Sequence, residues 1–278
     1  MNLIANGCSF TSGVPLNEDE DFTVNNIKIG DFHCVGWGSS IAWPYQIEGV
    51  TPYNISNGGS GNPRIVRTTI ALLDMVPQEF IDDSIFVIQW SSVFRKEYWC
   101  DNNCQWDVHG KTLNEARIVK PMSVYEPYDP ILDDSFETDM RTKRPEVIQS
   151  WIDHKFLGTN LYQNVYESLL LMTVLTKALQ DKNARFLYTS MSWENIDVFD
   201  CPYPDEWNPT AYHKALYNLL PKENTIKSVS QCLDEEERKI NGNGYTYYIP
   251  DDGHPNDKGN KLFANYVKEE LEKRNWLT

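Results

Sequence analysis

Residues 84–90, Ser-Ile-Phe-Val-Ile-Gln-Trp, constrain the fold more than any other stretch. The run is short for a helix, apolar at successive positions and rich in β-branched side chains. A strand of that kind points apolar groups to both of its faces and belongs inside a sheet covered on both sides. Leu3-Ile-Ala5, cut short by Gly7, reads as a second buried strand, and Phe186 to Met191 as a third. Leu161 to Gln180 lies between the latter two, with Val165, Leu169, Met172, Leu175 and Leu179 at helical spacing. The segment from Asp257 to Lys273 turns Leu262, Phe263, Tyr266, Val267 and Leu271 to one side in the same way. Strands alternating with helices imply an α/β chain with a mainly parallel sheet covered on both faces, a three-layer α/β/α sandwich. The 278 residues, 41% of them hydrophobic, can bury a sizeable core, and no repeat or linker divides them, so a single domain spanning 1–278 is expected.

The remaining stretches are less regular. From Ser12 to about His33 the chain is polar and acidic without a clean period, which reads as a loop or a small excursion from the sheet. Ser39 to Ile47 reads as the start of a helix. Val50 to Ile55 reads as a strand whose Pro52 favours an edge or a bulge. Two insertions are expected, at about 98–146 and 195–247. The first is rich in Asp, Pro, Tyr and Trp and is long for a structureless loop, so a packed insertion or lid is expected. The second carries a helix from about Pro209 to Leu220, and Tyr245 to Ile249 forms a short strand after it.

Charge limits the partners. Forty acidic against 25 basic residues give a net charge of -15, a field that repels nucleic acid and anionic membranes. Neither is expected as a partner. The N-terminus has no basic region followed by an apolar stretch, and no run approaches the roughly 20 apolar residues of a membrane span. A cytoplasmic or virion-associated protein is expected. Six cysteines in a chain of this length suggest mostly free thiols. Cys100 and Cys104, with His109 nearby, make at most half of a metal site, and no second pair completes it. No metal and no cofactor are expected.

Two stretches carry chemistry. In Gly7-Cys-Ser-Phe-Thr11 the glycine permits a sharp turn, and Ser9 falls just past the C-terminal end of the first strand, where open α/β sheets bind ligands. Ser9 is a candidate nucleophile; alternatively Ser9, Thr11 and Ser12 only cap the next helix. In Asp251-Asp-Gly-His254 a carboxylate and an imidazole three residues apart can meet on a tight loop, the acid holding the ring so that its other nitrogen serves as a base. Between them lies Ser56-Asn-Gly-Gly-Ser-Gly-Asn62, followed by Pro63. Asn62 is read as the N-cap of a helix with Pro63 at its first position. The loop lacks the spacing of the known phosphate-binding glycine motifs. It is either a tight turn or a source of backbone N–H groups for a reacting oxygen.

Taken together, these blocks resemble the SGNH hydrolases, the GDSL esterases and lipases. Gly7-Cys-Ser-Phe-Thr11 is similar to the nucleophile block, Asn57-Gly-Gly-Ser-Gly-Asn62 to the glycine block, and Asp251 with His254 to the C-terminal D-x-x-H. Trp43-Pro44 ahead of the glycine loop also fits. The family's Gly-x-Asn-Asp block is replaced here by Gln89-Trp-Ser-Ser92, which puts Ser91 where an asparagine is expected. The resemblance implies a flavodoxin-like sheet and a Ser9–His254–Asp251 triad. It also implies an oxyanion hole from Ser9, Gly59 (or Gly61 in its stead) and Ser91. Gly61, Asn62, Gln89 and Arg95 are the further candidates for substrate contact. The expected reaction is hydrolysis of an acyl ester on a small molecule or glycan, for example an O-acetyl group on a carbohydrate. The alternative is a non-catalytic binding or assembly protein on the same fold, such as a phage structural or host-surface-binding component.

Overall fold

The computed structural model describes residues 1–13, 23–57, 60–91, 93, 96–100, 105–109, 161–191, 210–240, 246–249 and 253–277. Its strands are β1 (Asn2–Asn6), β2 (Thr23–Ile29), β3 (Phe32–Gly38), β4 (Thr51–Asn54), β5 (Ser84–Trp90), β6 (Lys96–Cys100), β7 (Gln105–His109) and β8 (Arg185–Ser190). The helices are α1 (Ser9–Ser12), α2 (Asn62–Met75), α3 (Gln78–Asp82), α4 (Leu161–Asp181), α5 (Ala211–Asn218), α6 (Val229–Lys239) and α7 (Asp257–Lys273). Four strands pair in parallel in the order β4-β1-β5-β8, with Ile4 opposite Tyr53 on one side and Phe86 on the other. Among the described strands β4 is an edge, as Pro52 requires, because a proline has no N–H for a second neighbour.

Alternation along the strands builds two cores. Ile4, Phe86, Ile88, Trp90, Phe186 and Tyr188 face one way, against Ile65, Leu72 and Leu73 of α2 and Val165, Leu169, Met172, Leu175 and Leu179 of α4. Leu3, Ala5, Ile85, Val87 and Leu187 face the other, against Val229 and Leu233 of α6 and Phe263, Val267 and Leu271 of α7. These are the three layers of an α/β/α sandwich. Each fully buried Leu, Ile or Phe contributes roughly 1.5–3 kcal/mol relative to exposure. No described helix is long and apolar enough to cross a membrane.

Several local expectations are sharpened or corrected. The small excursion from the sheet expected before His33 takes the form, from Thr23 onward, of a separate antiparallel hairpin, β2–β3, turned by Gly30 (φ 58°) and Asp31. Its Ile27, Ile29, Phe32 and Cys34 join the first core. Residues 39–47 do not start an α-helix. Pro44 falls in a single 3₁₀ turn, Trp43–Gln46, whose buried Trp43 meets Phe263 edge-on at 5.5 Å. The first insertion opens with a second hairpin, β6–β7; residues 110–146 lie outside the described ones. Within 195–247, α5 lies inside the expected helix, but α6 was not expected. Its start is a capping box: Ser228 Oγ accepts the Gln231 N–H at 3.1 Å, and Gln231 Oε1 accepts the Ser228 N–H at 2.8 Å. The strand expected up to Ile249 reduces, in its described residues, to one antiparallel bridge between Tyr248 and Pro255.

Candidate active site

The site lies beyond the carboxyl ends of β1 and β5, where the strand order of this sheet reverses and α/β sheets form their crevice. β1 ends at Asn6, whose Nδ2 donates to the Ile65 carbonyl (3.0 Å) and the Thr69 hydroxyl (2.8 Å), fastening the strand to α2. Gly7 follows because nothing larger fits. A β-carbon there would collide with Thr11 Oγ1 and stand 2.9 Å from Gln89 Cβ.

The chain then makes one helical turn. Thr11 and Ser12 give their N–H groups to the Cys8 carbonyl (2.9 and 3.0 Å), and Gly13, at φ 74°, closes the turn on the Ser9 carbonyl at 2.9 Å. Cys8, not Ser9, is the residue at the N-cap, and no side chain caps the turn. The Ser9 hydroxyl is therefore not spent on the helix. Two neighbouring strands hold the turn. Thr11 Oγ1 donates to Gln89 Oε1 at 2.7 Å, and Asn54 Nδ2 donates to the Thr11 carbonyl at 2.9 Å.

His254 arrives from the other end of the chain. Its Nε2 lies 2.7 Å from Ser9 Oγ across 245 residues of sequence. Ser9 is 8% exposed, and the Phe10 ring sits 5.0 Å from the imidazole. Gly253, at φ 74°, makes the bend before the histidine, and the Ile249 N–H holds the His254 carbonyl at 2.7 Å. Asn256 clamps the segment. Its Oδ1 accepts the Gly259 N–H (3.0 Å) at the start of α7, while its Nδ2 donates to the carbonyls of Thr246 and Tyr248 (3.0 and 3.1 Å). Asn256→Ala removes the cap and both carbonyl contacts, and is expected to cost about 1–2 kcal/mol; urea unfolding measures it.

The other candidates divide. Asp251, Gly59 and Arg95 lie outside the described residues. Gly61 stands at the N-cap of α2 in extended conformation (φ -88°, ψ 167°). Asn62 is not the N-cap; it is the first helical residue and 2% exposed. Its Oδ1 accepts the Ser91 N–H at 2.9 Å and its Nδ2 donates to Ser168 Oγ at 3.2 Å, which ties α2 to β5 and α4. Long-range partners outcompete the local capping preference here. Ser91 is fully buried, with its Oγ 3.9 Å from Met191 Sδ. Gln89 is fully buried beneath the Ser9 turn.

Thr11, Asn54 and Asn256 support the site without having been singled out as site residues. Asn256 carries a legible signal, an asparagine directly ahead of an amphipathic helix. Asn54, a polar residue closing a strand, carries a fainter one. Among the described residues, the thiols of Cys8, Cys34 and Cys232 offer no rival nucleophile of comparable setting. All three are buried, and burial pushes the Cys232 thiol up to about 12. A serine within hydrogen-bond distance of an imidazole, on a glycine-bounded turn at the carboxyl end of a parallel sheet, can transfer its proton and attack an electrophilic carbon. No protein-family model matches this chain, and no curated protein sequence does either.

Proposed function

We propose that the chain is a serine ester hydrolase of SGNH type. The observation that carries the reading is the 2.7 Å contact between Ser9 Oγ and His254 Nε2. In this reaction Ser9 Oγ attacks the acyl carbonyl while His254 takes its proton. The imidazolium then gives that proton to the leaving alcohol, and water repeats the sequence on the acyl-enzyme. Asp251 is assigned the other ring nitrogen by its place in the D-x-x-H. The helical turn spends the N–H groups of Thr11 and Ser12 on Cys8, so the Ser9 N–H at its start is available to the oxyanion. A backbone N–H of the glycine loop, Gly59 or Gly61, joins it. Ser91 gives its own N–H to Asn62 and turns its hydroxyl to Met191 Sδ, so it does not replace the asparagine as a third donor. One donor fewer lowers the rate by about 10²–10³-fold, which favours activated or acetyl esters as substrates. The Trp and Tyr residues of the two insertions favour a carbohydrate bearing O-acetyl groups.

Ser91 in place of the family's asparagine supports the second reading, a binding or assembly protein that keeps the fold without turnover. One measurement separates the two. A fluorophosphonate is expected to modify the folded protein on the peptide that carries Ser9. Folded protein left unmodified would overturn the hydrolase reading and favour the binding one.

A further inference from the structure

Gln89 and Thr11 make a contact that the triad does not require. Gln89 is the penultimate residue of β5, adjacent to β1, and is fully buried. Its Oε1 accepts the Thr11 hydroxyl at 2.7 Å and lies 3.6 Å from Cys8 Sγ. Cys8 immediately precedes Ser9 and Thr11 is two residues after it, so one carboxamide oxygen holds the chain on both sides of the nucleophile. The absent side chain of Gly7 is the space in which the Thr11 hydroxyl sits. On the opposite flank Asn54 Nδ2 takes the Thr11 carbonyl.

This arrangement does not maximise stability. Gln89 Nε2 is buried without a hydrogen-bond partner among the described residues, and an unsatisfied buried donor disfavours the folded state. An apolar pair of the same shape would fill the space without that penalty. What a hydrogen bond adds, and an apolar pair lacks, is direction. The turn it steadies is four residues long and has no side-chain cap, so its orientation depends on tertiary contacts.

We infer that Thr11 and Gln89 form a positioning pair whose buried hydrogen bond sets the orientation of the turn on which Ser9 Oγ meets His254. The inference rests on the reading of Ser9 as a nucleophile. A displacement of about 1 Å at a reacting group costs on the order of 10²-fold in rate.

The test measures the rate at which a fluorophosphonate modifies Ser9, together with the thermal unfolding midpoint. The proteins compared are wild type, Thr11→Ser, Thr11→Val and the double variant Thr11→Val/Gln89→Met. Thr11→Ser keeps the hydroxyl and is expected to retain most of the rate. The double variant replaces the polar pair by apolar groups of similar size. Its midpoint is expected to equal or exceed that of wild type while modification slows by about 10²-fold. A double variant modified at the wild-type rate overturns the inference alone. So does a Thr11→Ser protein slowed as much as Thr11→Val. A midpoint that falls in step with the rate makes the pair merely structural and also overturns it. Wild type that resists the probe removes the nucleophile, and the inference falls with that reading.

Discussion

Ser9→Ala is expected to lower kcat/KM for short-chain acyl esters by about 10⁴-fold or more, the scale on which removing a serine nucleophile acts in triad hydrolases. The substitution deletes one oxygen, and that oxygen's described partner is His254 Nε2. The backbone of the turn keeps its bonds, since Cys8 and Ser9 contribute carbonyls to it and not the side chain. The unfolding midpoint should therefore stay close to that of wild type, so that lost turnover reports chemistry and not unfolding. The variant should also lose fluorophosphonate modification while still binding ester. Equal hydrolysis by the two proteins would remove Ser9 from the mechanism altogether.

The pair behind this prediction was legible in the sequence because chemistry narrows the choice. Few residue types serve as a nucleophile or a base, and both stretches sit beside glycines at the edges of apolar runs. The sheet was legible for a different reason. Ser84 to Trp90 is buried at every position, and its shortness and β-branched Ile85, Val87 and Ile88 mark it as a strand where periodicity alone does not; its boundaries in the structure are those the sequence implied. The final helix likewise runs from Asp257 to Lys273 as read.

What the sequence hid depends on partners far along the chain. Asn62 ahead of Pro63 has the local look of an N-cap, yet its carboxamide bridges Ser91 and Ser168, 29 and 106 residues away. Gln89 looks like a polar interruption in a strand until the Thr11 hydroxyl, 78 residues earlier, is set against it. Helix α6 was obscured by composition. Asp234-Glu-Glu-Glu237 dilutes its apolar face to Val229, Cys232 and Leu233, and only the Ser228–Gln231 spacing betrays its start. The β2–β3 hairpin was hidden by Asn25-Asn26 in the middle of a strand, although Gly30-Asp31 between Ile29 and Phe32 is a two-residue turn signal.

Gly259→Ala is expected to destabilise the protein by about 3 kcal/mol, a large overpacking effect. Gly259 is the third residue of α7, in ordinary helical conformation, and on propensity alone alanine would be favoured there by up to about 1 kcal/mol. The sign is reversed by what the helix packs against. A β-carbon at this position would collide with the Tyr247 carbonyl oxygen and stand 3.2 Å from Pro255 Cβ. A backbone carbonyl cannot rotate aside as a side chain can. This one also accepts the Asn256 N–H at 3.0 Å, so moving it breaks the contact that seats the start of α7 on residues 246–249. His254 lies between those two elements, its carbonyl held by Ile249. Separating them carries the imidazole away from Ser9. The variant should thus lose both stability and fluorophosphonate modification, whereas Asn256→Ala, which removes hydrogen bonds without adding bulk, should lose less of each. Denaturant midpoints for the two variants measured side by side test the order. A Gly259→Ala protein as stable as wild type would show that the Tyr247 carbonyl yields freely, and that the histidine loop is not fixed by its packing against α7.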